Sequence, residues 1–208
     1  MGFDEFINIA LPKGRLAEDT IKLLVEKGIS TDCIDFSSRK LIFEDTENRI
    51  RFMIVRNMDV PTYVENGACH LGVVGKDILD ELEPDVYEFL DLRFGYCRLC
   101  VAGLKDWNGE YNHNLRIATK YPNITKQFFF RKGFFVETIK LYGSIELAPL
   151  VGLSDLIVDL VSTGETLKRN GLKEIETIME STARLIANKN LTKVYFNRIK
   201  DIVEVIDD

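Results

Sequence analysis

The feature that most constrains the fold is a short apolar segment that ends in a small turn and continues as a helix. Residues 156–161 are rich in β-branched side chains, and Asp159 is the one charge among them. Such a run predicts a buried strand of a parallel sheet. It is followed by Ser162-Thr163-Gly164, and residues 165–170 then have helical character. A strand, a tight turn and a helix in this order predict a layered α/β domain.

The turn at 162–164 has two interpretations. Backbone N–H groups at the start of a helix point at one spot, and the helix dipole favours an anion there, so the turn could bind a phosphate without a lysine. Asp159, just before the turn, could then accept hydrogen bonds from sugar hydroxyls, which together indicates a sugar phosphate. Alternatively, Ser162 or Thr163 is an ordinary helix N-cap. The motif alone leaves both interpretations open.

Strands and helices alternate along the rest of the chain as well. The pattern predicts strands at 6–11, 40–43, 50–55, 71–74, 86–92, 97–104, 115–119 and 135–141, and helices at 16–27, 60–65, 76–82, 124–132, 145–151 and 191–206. Residues 175–186 predict one long strand that crosses back. Because the pattern restarts near residue 97, we expect two α/β lobes, residues 1–94 plus 184–208 and residues 95–183, with a ligand cleft between them.

Composition narrows the class of protein. A chain of 208 residues with a net charge of −6 is long enough for such lobes and is not typical of a nucleic-acid-binding protein. We expect no membrane span, because no apolar run is long enough, and the acidic N-terminus does not resemble a secretory signal, so we expect a cytoplasmic protein. The four cysteines lack metal-ligand spacing, so we expect them to be reduced.

Basic residues lie at the ends of predicted strands in the first lobe. Lys13-Gly14-Arg15 separates the first strand from its helix, Arg39 precedes a strand, and Arg56 ends one. A cation at a helix start is unfavourable unless an anion binds there, and arginine binds phosphate through two parallel hydrogen bonds. These residues therefore predict a polyphosphate site. The alternative for each of them is a solvated surface cation.

The motifs taken together resemble the ATP phosphoribosyltransferase family. The resemblance rests on Glu146 followed by Gly152, Ser154, Ile157, Asp159, Leu160, Thr163, Gly164, Thr166 and Leu167, and on collinear blocks at 10–16, 38–41, 59–67, 71–77 and 180–186. These blocks cover nearly the whole chain.

This resemblance implies a two-lobed α/β fold similar to type II periplasmic binding proteins, and transfer of phosphoribosyl from phosphoribosyl pyrophosphate to N1 of the ATP adenine. Mg²⁺ would be bound mainly through the substrate phosphates. The implied residues for phosphoribosyl pyrophosphate are Asp155, Asp159, Ser162, Thr163, Gly164, Glu165 and Thr166. Those for ATP and pyrophosphate are Lys13, Gly14, Arg15, Arg39 and Arg56, of which Arg15 and Arg39 are the implied catalytic residues.

The length of the chain resembles the short form of the family, which acts with a histidyl-tRNA-synthetase-like regulatory subunit as a homodimer within a hetero-octamer. A piece of the longer form is the alternative. Two other functions compete with this interpretation: a phosphoribosyltransferase that uses another base, and a non-catalytic solute-binding protein of the same fold.

Overall fold

The computed structural model describes residues 6–191 and 193–207. These residues divide into two compact units, one formed by residues up to 79, 83–95 and 182 onward, and the other by residues 80–82 and 96–181. Each unit is built around its own sheet. The chain therefore has the predicted α/β class.

The strands and helices follow the predicted alternation. The strands are β1 (Ile7–Pro12), β2 (Ile42–Asp45), β3 (Ile50–Val55), β4 (Leu71–Gly75), β5 (Val86–Asp91), β6 (Cys97–Leu104), β7 (Arg116–Thr119), β8 (Glu137–Lys140), β9 (Leu156–Val161), β10 (Leu172–Ser181) and β11 (Ala183–Asn188). The helices are α1 (Arg15–Glu26), α2 (Val60–Glu65), α3 (Lys76–Leu82), α4 (Pro122–Arg131), α5 (Leu147–Leu150), α6 (Glu165–Arg169) and α7 (Lys193–Asp207). A 3₁₀ turn covers Asn57–Asp59.

The sheet of the first unit has the order β2-β3-β1-β4-β11-β5. Strand β1 is parallel to both of its neighbours, β3 and β4, whereas β2 and β11 are antiparallel to theirs. Side chains of β1 are buried on both faces, as expected for an inner parallel strand. The C-terminal helix α7 joins this core through Ile199 and Ile206, so both ends of the chain build the first unit.

The sheet of the second unit has the order β10-β6-β9-β7-β8. Strand β9 is parallel to β7 and antiparallel to β6, so the prediction of a parallel strand is correct for one side only. Leu156, Ile157 and Val158 are completely buried. Because successive side chains of a strand point to opposite faces, Ile157, Asp159 and Val161 share one face. Ile157 and Val161 pack there with Ile145 and Ala148, next to α5.

The single long strand predicted at 175–186 is wrong. The chain forms two strands instead: β10 ends just before Thr182, and β11 begins just after it. The two strands belong to different sheets. Thr182 marks the change, and its hydroxyl donates to Asp91 at 2.8 Å. A continuous strand pattern does not show that a strand changes sheets, because the pairing partners lie far away in sequence.

Two further expectations concern membrane spans and the cysteines. In the described part of the chain, no helix is long and apolar enough to cross a membrane. The four cysteines are free thiols, as expected, and two of them, Cys69 and Cys100, are buried.

Of the predicted elements, the start of the last helix includes Thr192, which lies outside the described residues, as do residues 1–5 and 208.

Candidate functional site

Within the part of the chain that the structure describes, the turn after β9 leaves the start of α6 incompletely capped. Gly164 has φ +77°, a conformation that glycine adopts easily, and it is the residue from which α6 starts. The Thr163 hydroxyl accepts a weak hydrogen bond from the Glu165 N–H at 3.4 Å. Within the described residues, the N–H groups of Gly164 and Thr166 donate to no protein acceptor. The helix start is thus only partly capped by the protein, and the two interpretations of the turn are compatible.

The neighbouring helix start differs, because a protein carboxylate fills it. Glu81 is 2% exposed and accepts hydrogen bonds from the N–H groups of Asn123 and Ile124, at 3.0 Å each from Oε2. Burial raises the pKa of Glu81, while these two bonds lower it. The start of α4 is therefore occupied by a carboxylate of the chain itself, whereas the start of α6 is open.

Asp159 lies half-buried beside the open turn. Its Oδ1 accepts a hydrogen bond from the Leu160 N–H at 2.9 Å. Burial raises the pKa of Asp159, the nearby Glu146 carboxylate raises it further, and the Leu160 N–H and the Lys120 ammonium lower it. The Glu146 carboxylate is therefore near enough to influence Asp159. A carboxylate such as that of Asp159 can accept hydrogen bonds from hydroxyl groups.

Asp155 is not brought to the turn. It precedes β9, at the opposite end of a six-residue strand, about 20 Å away along the chain. Its carboxylate accepts hydrogen bonds from the Arg116 backbone N–H at 2.8 Å and from Arg116 Nη2 at 2.9 Å. Arg116 thereby lowers the pKa of Asp155. These hydrogen bonds join the start of β9 to the start of β7.

In the first unit, the predicted basic residues meet at one edge of the sheet. Pro12 and Val55 are paired at the carboxyl ends of the parallel strands β1 and β3, so Lys13 and Arg56 leave the sheet side by side. The Lys13 N–H donates to the Val55 carbonyl at 3.0 Å, which fixes this arrangement.

Arg39 and Arg15 belong to the same edge. Strand β2 is antiparallel to β3, and the Leu41 carbonyl accepts from the Ile54 N–H at 2.8 Å, so the segment just before β2 lies beside the end of β3. Arg39 is in that segment. Arg15 is the first residue of α1, and its side chain is 87% exposed, with Nε 3.6 Å from Asp19.

The start of α1 is open as well. Its N-cap is Gly14, with φ +88° and no side chain that could cap the helix. Among the described residues, Lys13, Arg39 and Arg56 form no salt bridge and are exposed. We call Lys13, Gly14, Arg15, Arg39 and Arg56 the basic edge. Concentrated positive charge beside an open helix start attracts polyphosphates.

Comparison with known proteins identifies the family. The family model described as HisG, ATP phosphoribosyltransferase, matches residues 56–208. The chain belongs to the ATP phosphoribosyltransferase family. Members of this family catalyse the first step of histidine biosynthesis.

Relatives in the ATP phosphoribosyltransferase family match over nearly the whole chain. An ATP phosphoribosyltransferase of Citrifermentans bemidjiense is 57% identical over 208 residues and covers 98% of both chains. One from Caldanaerobacter subterraneus is 56% identical over 199 residues, covering 96% of this chain and 95% of its own.

Solved structures confirm the predicted class of fold. The ATP phosphoribosyl transferase (HisG:HisZ) complex from Thermotoga maritima matches with a TM-score of 0.83 at 33% identity, covering 97% of each chain. The periplasmic aliphatic sulphonate binding protein SsuA from Escherichia coli matches with a TM-score of 0.60 at 11% identity, covering 97% of this chain and 67% of its own. The second likeness concerns the fold alone, which is the two-lobed type II fold of periplasmic binding proteins.

The described residues contain no group of three or more His, Cys, Asp or Glu side chains that could enclose a metal ion. Mg²⁺ does not require such a group, because it retains several waters and is usually held by substrate phosphates.

Lys120 lies near Asp159, which the sequence did not reveal. It follows β7, the strand next to β9, and its charge acts on Asp159. A lysine directly after a strand is too common to indicate a site on its own. The parallel pairing of β7 with β9 would have been needed to find it.

Proposed function

We propose that the second unit binds the phosphoribosyl part of phosphoribosyl pyrophosphate. The N–H groups of Gly164 and Thr166 and the hydroxyls of Ser162, Thr163 and Thr166 receive the 5′-phosphate. The open start of α6 supports this assignment, since the neighbouring start of α4 is already filled by Glu81. Glu165 contributes through its backbone at the first helical position.

Asp159 accepts hydrogen bonds from the ribose hydroxyls in this proposal. Its half-buried position beside the turn supports this role. A second carboxylate, that of Glu146, is near enough to raise the pKa of Asp159 and could accept further hydrogen bonds. The turn would then bind the phosphate of a ribose 5-phosphate, and the Asp159 carboxylate would bind its hydroxyl groups. Asp155 is left out, because its carboxylate is already bonded to Arg116.

The basic edge of the first unit binds the polyphosphate groups of ATP and phosphoribosyl pyrophosphate. Lys13, Arg15, Arg39 and Arg56 supply the positive charge, and Gly14 allows a phosphate to approach the backbone. In the transfer, N1 of the adenine forms a bond to C1′ of the ribose while the C1′–O bond to pyrophosphate breaks. Negative charge therefore grows on the leaving group, and Arg15 and Arg39 stabilise it as it develops.

Mg²⁺, bound mainly through the substrate phosphates, supplies further charge neutralisation of the pyrophosphate when it is present. The protein itself forms no covalent bond to the substrate, since adenine N1 is the nucleophile. What the chain contributes is the binding of both substrates and the fixed donors that face the phosphates.

We also propose that this chain acts with a separate regulatory subunit similar to histidyl-tRNA synthetase, as a homodimer within a hetero-octamer. The relative from Thermotoga maritima, solved as a HisG:HisZ complex, supports a two-component enzyme. The two chains match over 97% of the length of each.

The observation that carries the proposal is the open, glycine-containing turn at the carboxyl end of β9 in a chain of this family. The test is a reaction of the purified protein with ATP, phosphoribosyl pyrophosphate and Mg²⁺. We expect N1-(5-phosphoribosyl)-ATP and pyrophosphate in equal amounts, identified by mass spectrometry. Absence of both products, with the regulatory subunit also added, would contradict the proposal.

A further inference from the structure

The pairing of β7 with β9 places Lys120 beside Asp159. Ala118 is paired with Ile157 in the parallel register, and both residues are buried on the α5 side of the sheet. Thr119 is paired with Val158, and Lys120 and Asp159 are the next residues of the two segments, so they lie next to each other at the end of the paired region. The Lys120 ammonium acts on the Asp159 carboxylate, which agrees with this geometry.

The backbone around Lys120 is held on both sides. The hydroxyl of Thr119 donates to the Val158 carbonyl at 2.7 Å and accepts from the Tyr121 N–H at 2.9 Å. The helix that follows is fixed by Glu81, which caps its first N–H groups. Lys120 thus starts from a rigid position, and its side chain is half-buried.

The charges on this face leave the Lys120 ammonium available to a ligand. No carboxylate of the described residues lies within salt-bridge distance of it. Asp159 and Glu146 would repel a phosphate bound at the turn, and the turn itself offers only neutral donors. A cation next to Asp159 offsets that repulsion and can donate three hydrogen bonds.

We propose that Lys120 is a further substrate-binding residue, whose ammonium contacts the phosphoribosyl group beside Asp159 and the turn at 162–166. This inference rests on the proposed phosphoribosyl site. It assigns the positive charge of that site to the β7–α4 connection rather than to the turn or to α6.

The test measures binding of ribose 5-phosphate and of inorganic pyrophosphate to the full chain by calorimetry. Lys120→Met should weaken ribose 5-phosphate binding roughly ten- to hundredfold, as expected for a lost charged hydrogen bond, and should leave pyrophosphate binding unchanged. Lys120→Arg should retain most of the affinity, because it keeps the charge. Lys126→Met, an exposed lysine on α4, is the matched control and should bind like the wild type.

Three outcomes would overturn the inference. These are equal affinities of the Lys120→Met and Lys126→Met proteins for ribose 5-phosphate, a loss that is as large for pyrophosphate, or a Lys120→Arg protein as weak as Lys120→Met. Gly164→Val distinguishes these from failure of the proposed site. If Gly164→Val leaves ribose 5-phosphate binding intact, the phosphoribosyl site itself is wrong, whereas a loss with Gly164→Val but not with Lys120→Met contradicts only the role of Lys120.

Discussion

At the scale of single residues, Gly164 shows why a helix start and a ligand site need not exclude each other. Its positive φ turns the chain from β9 into α6 and leaves the Gly164 and Thr166 N–H groups without an acceptor among the described residues. A bound phosphate would satisfy the same groups that a side-chain cap would satisfy. The sequence could not separate these interpretations, because both require the same small residues.

Replacement of Gly164 by valine should weaken binding of phosphoribosyl pyrophosphate. A side chain would have room, since its nearest neighbour is Val161 Cγ1 at 3.9 Å, so the effect comes from the left-handed backbone. We expect a loss of stability of about 1–2 kcal/mol and, in addition, a lower affinity, measured by calorimetry.

Gly171→Val is the matched control for this experiment. Gly171 follows the same helix, has φ +73° and also has open space around it. The Gly171→Val protein should lose about as much unfolding free energy as the Gly164→Val protein but keep its affinity for phosphoribosyl pyrophosphate. Equal affinities of the Gly164→Val and wild-type proteins would contradict the phosphate turn.

Arg39→Ala should lower turnover more than it weakens ATP binding. The lost stabilisation of the leaving pyrophosphate should correspond to about 2–4 kcal/mol in the activation free energy. Steady-state kinetics, with ATP affinity measured separately, give the two quantities. Lys22→Ala removes a cation of the same unit that already pairs with Asp19, and it should leave turnover unchanged. An Arg39→Ala enzyme with normal turnover would show that Arg39 is only a surface cation.

At the scale of elements, β9 separates two carboxylates that the sequence places close together. Asp155 and Asp159 are four residues apart, but Asp155 precedes the strand and is clamped by Arg116, whereas Asp159 lies near the open turn. The family resemblance assigned both to the same substrate. Strand geometry and the Arg116 contact instead favour a structural role for Asp155.

Asp155→Asn should lower the stability of the second unit without changing its affinity for phosphoribosyl pyrophosphate. Arg116 holds the pKa of Asp155 below its ordinary value, so the stabilisation is present above the unfolded-state pKa of about 3.9 and is lost as the pH falls through the folded-state pKa. Urea unfolding should therefore show the largest difference from the wild type near neutral pH and a shrinking difference below about pH 4.

A double-mutant cycle with Arg116→Met isolates the ion pair from other effects of the substitutions. The loss of unfolding free energy in the double mutant should be smaller than the sum of the two single-mutant losses, because each single change already removes the same interaction. Weaker binding of phosphoribosyl pyrophosphate to the Asp155→Asn protein would restore Asp155 to the substrate site.

At the scale of the whole molecule, catalysis and feedback control should reside in different chains. We expect the purified chain to be active alone, and inhibition by histidine to appear only with the regulatory subunit added. The measurement is the initial rate with increasing histidine, with and without that subunit. Inhibition of the isolated chain to the same extent would mean that the histidine site lies in this chain.

The arrangement of the two lobes about a ligand cleft stays a prediction from the sequence. The structure establishes each unit by itself, and the first unit draws residues from both ends of the chain. The matched fold of the relatives agrees with two α/β units.

The sequence by itself determined the α/β class, most strands and helices, the glycine-containing turn and the resemblance to the family, because these depend on local hydrophobic period and on short motifs. Tertiary structure decided the rest. It divided 175–186 between two sheets, gathered Lys13, Arg39 and Arg56 at one edge, moved Asp155 away from the turn and brought Lys120 to Asp159. Each of these depends on which strands pair and in which register, and pairing joins residues that are far apart in the chain.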